Sequence, residues 1–496
     1  MTISFDAGPV AGYAWPQSLE PGQSFALHLS SASGPLDVEI ARIGRQRDVV
    51  WQRRGLPVAN HPYPASVTND GCDWPPAATL EVGDWDSGYY EIGLSDATGV
   101  HTGAAFVVVR AAPARRRRIL MALGTNTWNA YNDVHNGRNL YTGAVEVSFA
   151  RPAAPGYLRK PPGLGRRVTA VYTPDPARAA HRGYKTVNGL SDWCGSAGWP
   201  NWEHPFVVWA ESNGYRFDYA VNADLEDPAN LADYALLLSI GHDEYWSMPM
   251  RDTVEAFIGR GGNVAFLTGN TAFWQVRLED GGRKMVGYKG RFERDPLYGT
   301  DRRHEVTTLW SDPILERPEN AMTGVSFTRG GYHHIGLKAK EGAGGYTVHR
   351  PGHWLFEGTG LEYGDLLGSA STVVGYECDG CDFTYRDGLP YPTGSDGTPE
   401  SFVILATAPA APFDRRTSVR PVPDHLPSEL EYVAGRLLGS SDPDACERLA
   451  YGHAVLGTYR RGGTVVTSGC TDWVHGLDGR SPAVETITRT ILDRLG

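Results

Sequence analysis

The stretch Leu236-Leu237-Leu238-Ser239-Ile240-Gly241-His242-Asp243-Glu244-Tyr245-Trp246-Ser247 decides the fold class. A short, almost continuous apolar run reads as a strand buried on both faces, and Gly241 is placed to end it. Ser247 suits the cap of a following helix, Pro249 suits its first turn, and Met250, Val254, Phe257 and Ile258 fall on one helical stripe. Strand, turn and helix in this order are how open α/β sheets present reactive groups beyond the carboxyl ends of their strands. His242 and Glu244, two apart in an extended turn, can face one point, with Asp243 turned the other way to serve structure.

Outward from this stretch the pattern is strand alternating with helix. Residues 119–123 predict a strand. Phe206, Val207, Trp209 and Ala210 give 202–212 a helical spacing that Gly214 terminates, and strands are expected at 215–219 and 263–267. This βαβ succession implies a largely parallel sheet covered on both faces. Residues from about 280 to 400 lose the alternation and become rich in Gly, Tyr and His, which reads as a β-rich insertion near the site. The α/β character returns with a helix at 429–438, a strand at 463–467 and a final helix from Val484.

The first hundred residues differ. Strand-like runs at 24–29, 36–40, 78–82, 88–92 and 105–109 are separated by turn residues, the pattern of an immunoglobulin-like β-sandwich. No cluster of catalytic residue types falls there, so an accessory role is expected. Residues 111–114 read as a linker and Arg115 to Arg118 as its solvated lead into the next strand. The expected organisation is a sandwich over 1–113 and an α/β catalytic domain over 114–496.

At 496 residues the chain exceeds one ordinary core. Its formal net charge of -11 argues against nucleic acid or an anionic membrane as partner, and no apolar run is long enough to span a bilayer. The amino-terminal residues lack the basic start and apolar core of a signal peptide, so a cytoplasmic enzyme acting on a small molecule is expected. Six cysteines are few for this length, and the lone Cys378-Asp379-Gly380-Cys381 has no second pair to complete a zinc site. The composition is compatible with a homo-oligomer.

Three further segments should meet the His242/Glu244 turn: Gly124 to Asn132 with Tyr141 beyond it, Leu267 to Trp274, and Gly375 to Asp379. Each follows an apolar strand or lies in the insertion, where loops build sites. Taken singly, Tyr131 and Tyr141 read as packing aromatics and Asn270 as a turn residue after Gly269. His242 is either a satisfied structural histidine or an active group. Its pairing with Glu244 at a strand end favours the second reading.

Gly241 to Ser247, Gly261-Gly262-Asn263, and Gly269-Asn270-Thr271-Ala272-Phe273-Trp274-Gln275 together resemble the large (beta) subunit of N,N-dimethylformamidase and its relatives. Thr127 to Asn132, His353-Trp354, Gly358 to Leu361, Gly375-Tyr376-Glu377 and Gly463 through Trp473 extend the resemblance over most of 115–496. It implies a glutamine-amidotransferase-like (flavodoxin-like) three-layer α/β domain. It also implies one non-haem iron held by Tyr131, Tyr141 and Glu244, with His242 beside it and Asn270 and Glu377 catalytic. Phenolate and carboxylate oxygens are hard donors that suit ferric iron. The chain is shorter than that large subunit, and Asp133, His135, His333, His334 and His353 are spare donors sufficient for a second metal. The leading expectation is therefore hydrolysis of an amide C–N bond by an iron-activated water. The rival is a non-haem iron, or diiron, monooxygenase hydroxylating a small natural product in secondary metabolism. A third reading, a carbohydrate- or surface-binding protein with a degenerate catalytic domain, conflicts with the retained Tyr131, Glu244, Asn270 and Glu377.

Overall fold

Seven residues of nearly unbroken apolarity form the strand Leu236–His242, and all seven are buried. They belong to a computed structural model that describes residues 8–160, 183–185, 187–191, 193–334, 339, 342–418 and 422–496. Residues 1–7, read above for a leader, lie outside it. The described residues form a mixed α/β protein with two compact units: 8–160, 183–233 and 277–287 in one, 234–276 and 288–496 in the other. Among them, no helix is long and apolar enough to cross a membrane.

The first unit holds two sheets around one apolar core. One sheet has the order Val10–Trp15, Ser24–Ser31, Pro76–Glu81; the other runs Ser18–Leu19, Thr102–Val109, Gly88–Asp96, Leu36–Ile43, Arg47–Leu56. Alternate residues supply the core: Phe25, Leu27 and Leu29 from the first sheet meet Leu36, Val38, Ile40, Ile92, Leu94, Val107 and Val109 from the second. This is the period-two pattern of strands with one face inward. The expected boundary at 113/114 falls within this unit. Ile119–Leu123 pairs in parallel with Asp218–Val221. That second strand starts later than expected because Gly214, at φ +85°, turns the helix Glu203–Ser212 back and Tyr215 N–H closes on Ala210 O. The arginine run is not a solvated lead throughout. Arg117 pairs at 2.6 Å with the fully buried Asp218, whose carboxylate needs a partner away from water. Residues after Gly124 form the helix Thr125–Tyr131, buried along its whole length, where a loop was expected.

In the second unit Leu236–His242, Asn263–Gly269 and Gly463–Thr467 are parallel neighbours. Gly452–Arg461, Val403–Ala410, Tyr346–Val348 and Leu366–Leu367 continue the sheet in that order, each antiparallel to the last. The sheet is thus mixed rather than largely parallel. One residue, Gly462 at φ +79°, separates Gly452–Arg461 from Gly463–Thr467, and so short a link joins only antiparallel strands. The helix Met248–Gly259 has Ser247 as its cap, accepting from Met250 N–H at 3.4 Å, and it buries Met250, Val254, Phe257 and Ile258 as its spacing predicts. Within the expected β-rich stretch, Glu377–Gly380 pairs antiparallel with Ser326–Tyr332.

Leu238 lies at the centre of this sheet with no exposed surface. Leu238→Ala should cost about 2–5 kcal/mol of stability through lost burial and the cavity left behind. Urea denaturation followed by tryptophan fluorescence measures it, and a loss below roughly 0.5 kcal/mol, the scale of a surface change, would contradict the placement.

Candidate active site

The site is assembled where strands end. His242 closes its strand directly opposite Gly269, so the residue after Gly269 is delivered beside it. Gly241 adopts φ +83° one step earlier, a conformation glycine enters without cost, which lets the strand turn as His242 is reached. Gly269 is required for a different reason. A Cβ there would lie 2.4 Å from Glu377 O and 2.6 Å from Thr471 N, so only glycine lets the strand carrying Glu377 come this near.

Four side chains singled out from the sequence converge in this unit. His242 Nε2 lies 2.7 Å from Glu377 Oε2 and 3.4 Å from Glu244 Oε2. Asn270 Nδ2 donates to Glu377 Oε2 at 3.4 Å. All four groups are buried. Burial alone would push the imidazole towards neutrality, but the Glu377 and Glu244 carboxylates outweigh it and hold the His242 pKa well above its ordinary 6.5. Asp243 accepts from Ser239 Oγ at 2.7 Å.

Three companions carry no periodic signal in the sequence. Trp274 Nε1 donates to Glu244 Oε1 at 2.8 Å and fixes that carboxylate. Lys289 places Nζ 2.9 Å from Tyr245 OH and 4.8 Å from the Trp274 ring centroid. Burial lowers the Lys289 pKa to about 7, even though Glu244 and Glu377 pull it upward. Asp379 accepts the backbone N–H groups of Asn270 at 2.7 Å and Thr271 at 3.0 Å. Those bonds hold a turn in which Asn270 and Ala272 both sit at positive φ, 53° and 50°, uncommon for residues with a side chain. Burial raises the Asp379 pKa to about 7 against the pull of these N–H groups.

The expected tyrosines belong to the first unit. Tyr131 OH donates to Tyr141 OH at 2.9 Å, and Trp193 packs against both rings. Tyr131 is buried; Tyr141 is 38% exposed. Two phenolic oxygens that close are spaced as neighbouring donors on one metal, since bonds of about 2.0–2.2 Å at a right angle place their oxygens roughly 3 Å apart. Among the described residues no three His, Cys, Asp or Glu side chains gather to hold a metal ion. The donor set expected from the sequence is of another kind, two phenols and one carboxylate.

The spare donors are placed otherwise. His135 stacks on Tyr63 at 4.5 Å. His333 has both ring nitrogens engaged, Nδ1 with Pro409 O at 2.5 Å and Nε2 with Gly344 N–H at 3.2 Å, and His334 packs edge-on against it. His353 caps a short turn through Leu355 N–H. Asp133 is buried in the first unit.

A family model described as N,N-dimethylformamidase beta subunit-like, C-terminal, matches residues 37–486. The chain belongs to this family. No curated protein matches it. Among solved structures, a Paenibacillus cycloisomaltooligosaccharide glucanotransferase complexed with cycloisomaltoheptaose is matched at 10% identity, over 54% of this chain and 53% of that one, with a TM-score of 0.18. The chain therefore spans about half the length of that structure, and so weak a likeness carries no argument. The family match, by contrast, takes in both units and every residue of the constellation above.

Two outcomes are expected from this geometry. Asp379→Asn turns an N–H toward Asn270 or Thr271 N–H and should loosen the Asn270 turn. Turnover should fall on the order of 10²-fold, the cost of misplacing a catalytic group by about 1 Å, while the melting temperature changes little. Activity within threefold of the parent would show that the turn holds without Asp379. The second concerns pH. A raised His242 pKa contributes stability fully below about pH 6.5, and that contribution is lost as pH rises through the raised value. Chelator-treated protein should therefore lose stability with rising pH above neutrality, whereas His242→Gln should be flat over the same range; parallel profiles would contradict the ion pairs.

Proposed function

We propose that this chain is a non-haem iron amidohydrolase that cleaves a C–N bond in a small organic amide. Family membership supports an amide hydrolase, and the observation that carries the finer reading is the convergence of Glu377, His242, Glu244 and Asn270 within 3.4 Å contacts in a buried site.

The donor chemistry fits iron. The family resemblance assigns the iron to Tyr131, Tyr141 and Glu244, all hard oxygen donors; the two phenolic oxygens lie 2.9 Å apart and the Glu244 carboxylate is buried. Iron bound by these three groups would polarise the amide carbonyl and acidify a water. The remaining work falls to the chain. Glu377 accepts the proton of the attacking water, and His242, held protonated 2.7 Å away, gives its own proton to the leaving nitrogen and is reprotonated from Glu377. Asn270 gives one amide N–H to Glu377 and retains a second N–H for the developing oxyanion. Its Oδ1 is buried without a partner, free to accept an N–H from the substrate. Lys289, with its pKa lowered to about 7 by burial, lies close enough to Glu244 and Glu377 to feel both carboxylates and can gain or lose a proton near neutral pH. Amide and water thereby yield carboxylic acid and amine.

The finer architecture belongs to the same proposal. The two sheets of the first unit form an immunoglobulin-like sandwich over 1–113, and the α/β elements of 114–496 form a glutamine-amidotransferase-like domain, in a cytoplasmic protein. His333 and His353 commit ring nitrogens to the backbone, and no observation favours the dioxygen-dependent reading.

Glu244→Ala should abolish iron binding, whereas Glu377→Gln should retain the iron and its phenolate-to-iron absorption while losing amide turnover by at least ~10³-fold. Metal analysis and assays with and without dioxygen test this together. Equal iron loss in both variants would make Glu377 a ligand, and turnover that requires dioxygen would overturn the hydrolase.

A further inference from the structure

The first unit holds a partly open cavity of about 40 Å³ between the sandwich strands and the helix Thr125–Tyr131. At roughly 10–15 Å³ for each water on this measure, it has room for about three waters or one small ion. Tyr13, Phe106, Trp128, Phe149 and Tyr157 bring aromatic rings to a wall otherwise made mainly of small and amide side chains. Against that wall stands one charge, Arg151, which is 3% exposed.

The guanidinium is only partly satisfied. Nε donates to Ser148 O at 2.9 Å, and Nη2 donates to Asn129 O at 3.1 Å and Asn129 Oδ1 at 3.2 Å. Nη1 is buried and has no partner. No carboxylate among the described residues forms an ion pair with Arg151; Asp133 acts on it only through space, as do Tyr157 and Cys72. The carbonyls that hold Nε and Nη2 are neutral, so they orient the group without cancelling its charge. Burial lowers the Arg151 pKa to about 10, which still leaves the group charged at neutral pH. Removing an ion from water costs several kcal/mol unless a counter-charge and a full set of hydrogen bonds replace the water.

We propose that this cavity is a binding site for a small monovalent anion, of the size of chloride or formate, seated on Arg151 Nη1. Nη1 offers two N–H donors and the guanidinium one positive charge, which match a small monovalent anion, whereas a larger one exceeds the volume and a divalent one exceeds the charge. Bound there, the anion completes the charge that fixes Asn129, and Tyr157, another wall residue, donates to Tyr131 O at 2.7 Å. Occupancy therefore stiffens the helix that ends at Tyr131.

Full-length protein, melted in increasing sodium chloride or sodium formate at ionic strength held constant with gluconate, should show a saturable rise in Tm of a few degrees. Arg151→Gln should abolish the rise. Parent crystals soaked in bromide should show an anomalous peak within hydrogen-bond reach of Nη1, a readout that survives even if the variant does not fold. A Tm independent of anion identity, a rise that persists in Arg151→Gln, or a cavity holding only water in the presence of bromide would each overturn the site.

Discussion

One buried imidazole between two buried carboxylates constrains the second unit. Across 2.7 Å the attraction between His242 and Glu377 is roughly 6 kcal/mol at an effective dielectric of about 20. That is of the same order as the several kcal/mol that each ion loses on leaving water. Neither group can be buried alone, so the strand that ends in His242 and the strand that begins with Glu377 must meet. Gly269 permits this approach, and Trp274 turns Glu244 by its indole N–H. Lys289 feels both carboxylates, which offset part of the burial that lowers its pKa to about 7.

The strand Glu377–Gly380 divides its labour by alternation. Residues two apart on a strand share a face, so Glu377 and Asp379 both look toward the turn after Gly269. Glu377 takes the side chain of Asn270, while Asp379 takes the backbone of Asn270 and Thr271. Cys378, between them, alternates to the opposite face, and its backbone pairs antiparallel with that of Cys470, both cysteines being free thiols. Position and chemistry at Asn270 are thus set by one short strand, which explains why a residue in a left-handed conformation is held there.

Much of this was legible in the sequence wherever a local rule acts alone. Leu236 to Ile240 could only be a buried strand, and Ser247 with the spacing of Met250, Val254, Phe257 and Ile258 specified the helix and its cap. His242 and Glu244 were readable because two ionisable residues beside an apolar run need a reason. Lys289 was not, because nothing local marks it: its neighbours are irregular, and its significance comes from Tyr245 and Trp274, distant in the chain. Asp379 was visible only as one acid in a polar segment, since its partners are backbone groups with no residue identity. The antiparallel half of the sheet escaped for a similar reason. Pairing direction depends on connections such as Gly462, not on strand composition.

The same distinction accounts for the spare donors. His333 stands in a stretch dense with metal-binding residue types, and composition alone recommends it. Yet a histidine is a ligand only with a ring nitrogen to give, and both of its nitrogens serve the backbone of Pro409 and Gly344. Burial lowers its pKa, in keeping with a neutral ring that donates through one nitrogen and accepts through the other. His242 is equally buried and has its pKa moved the opposite way, because what faces it is carboxylate rather than peptide. Residue type and burial are the same at these two positions; the charge of the partner separates a packing histidine from an acid–base one.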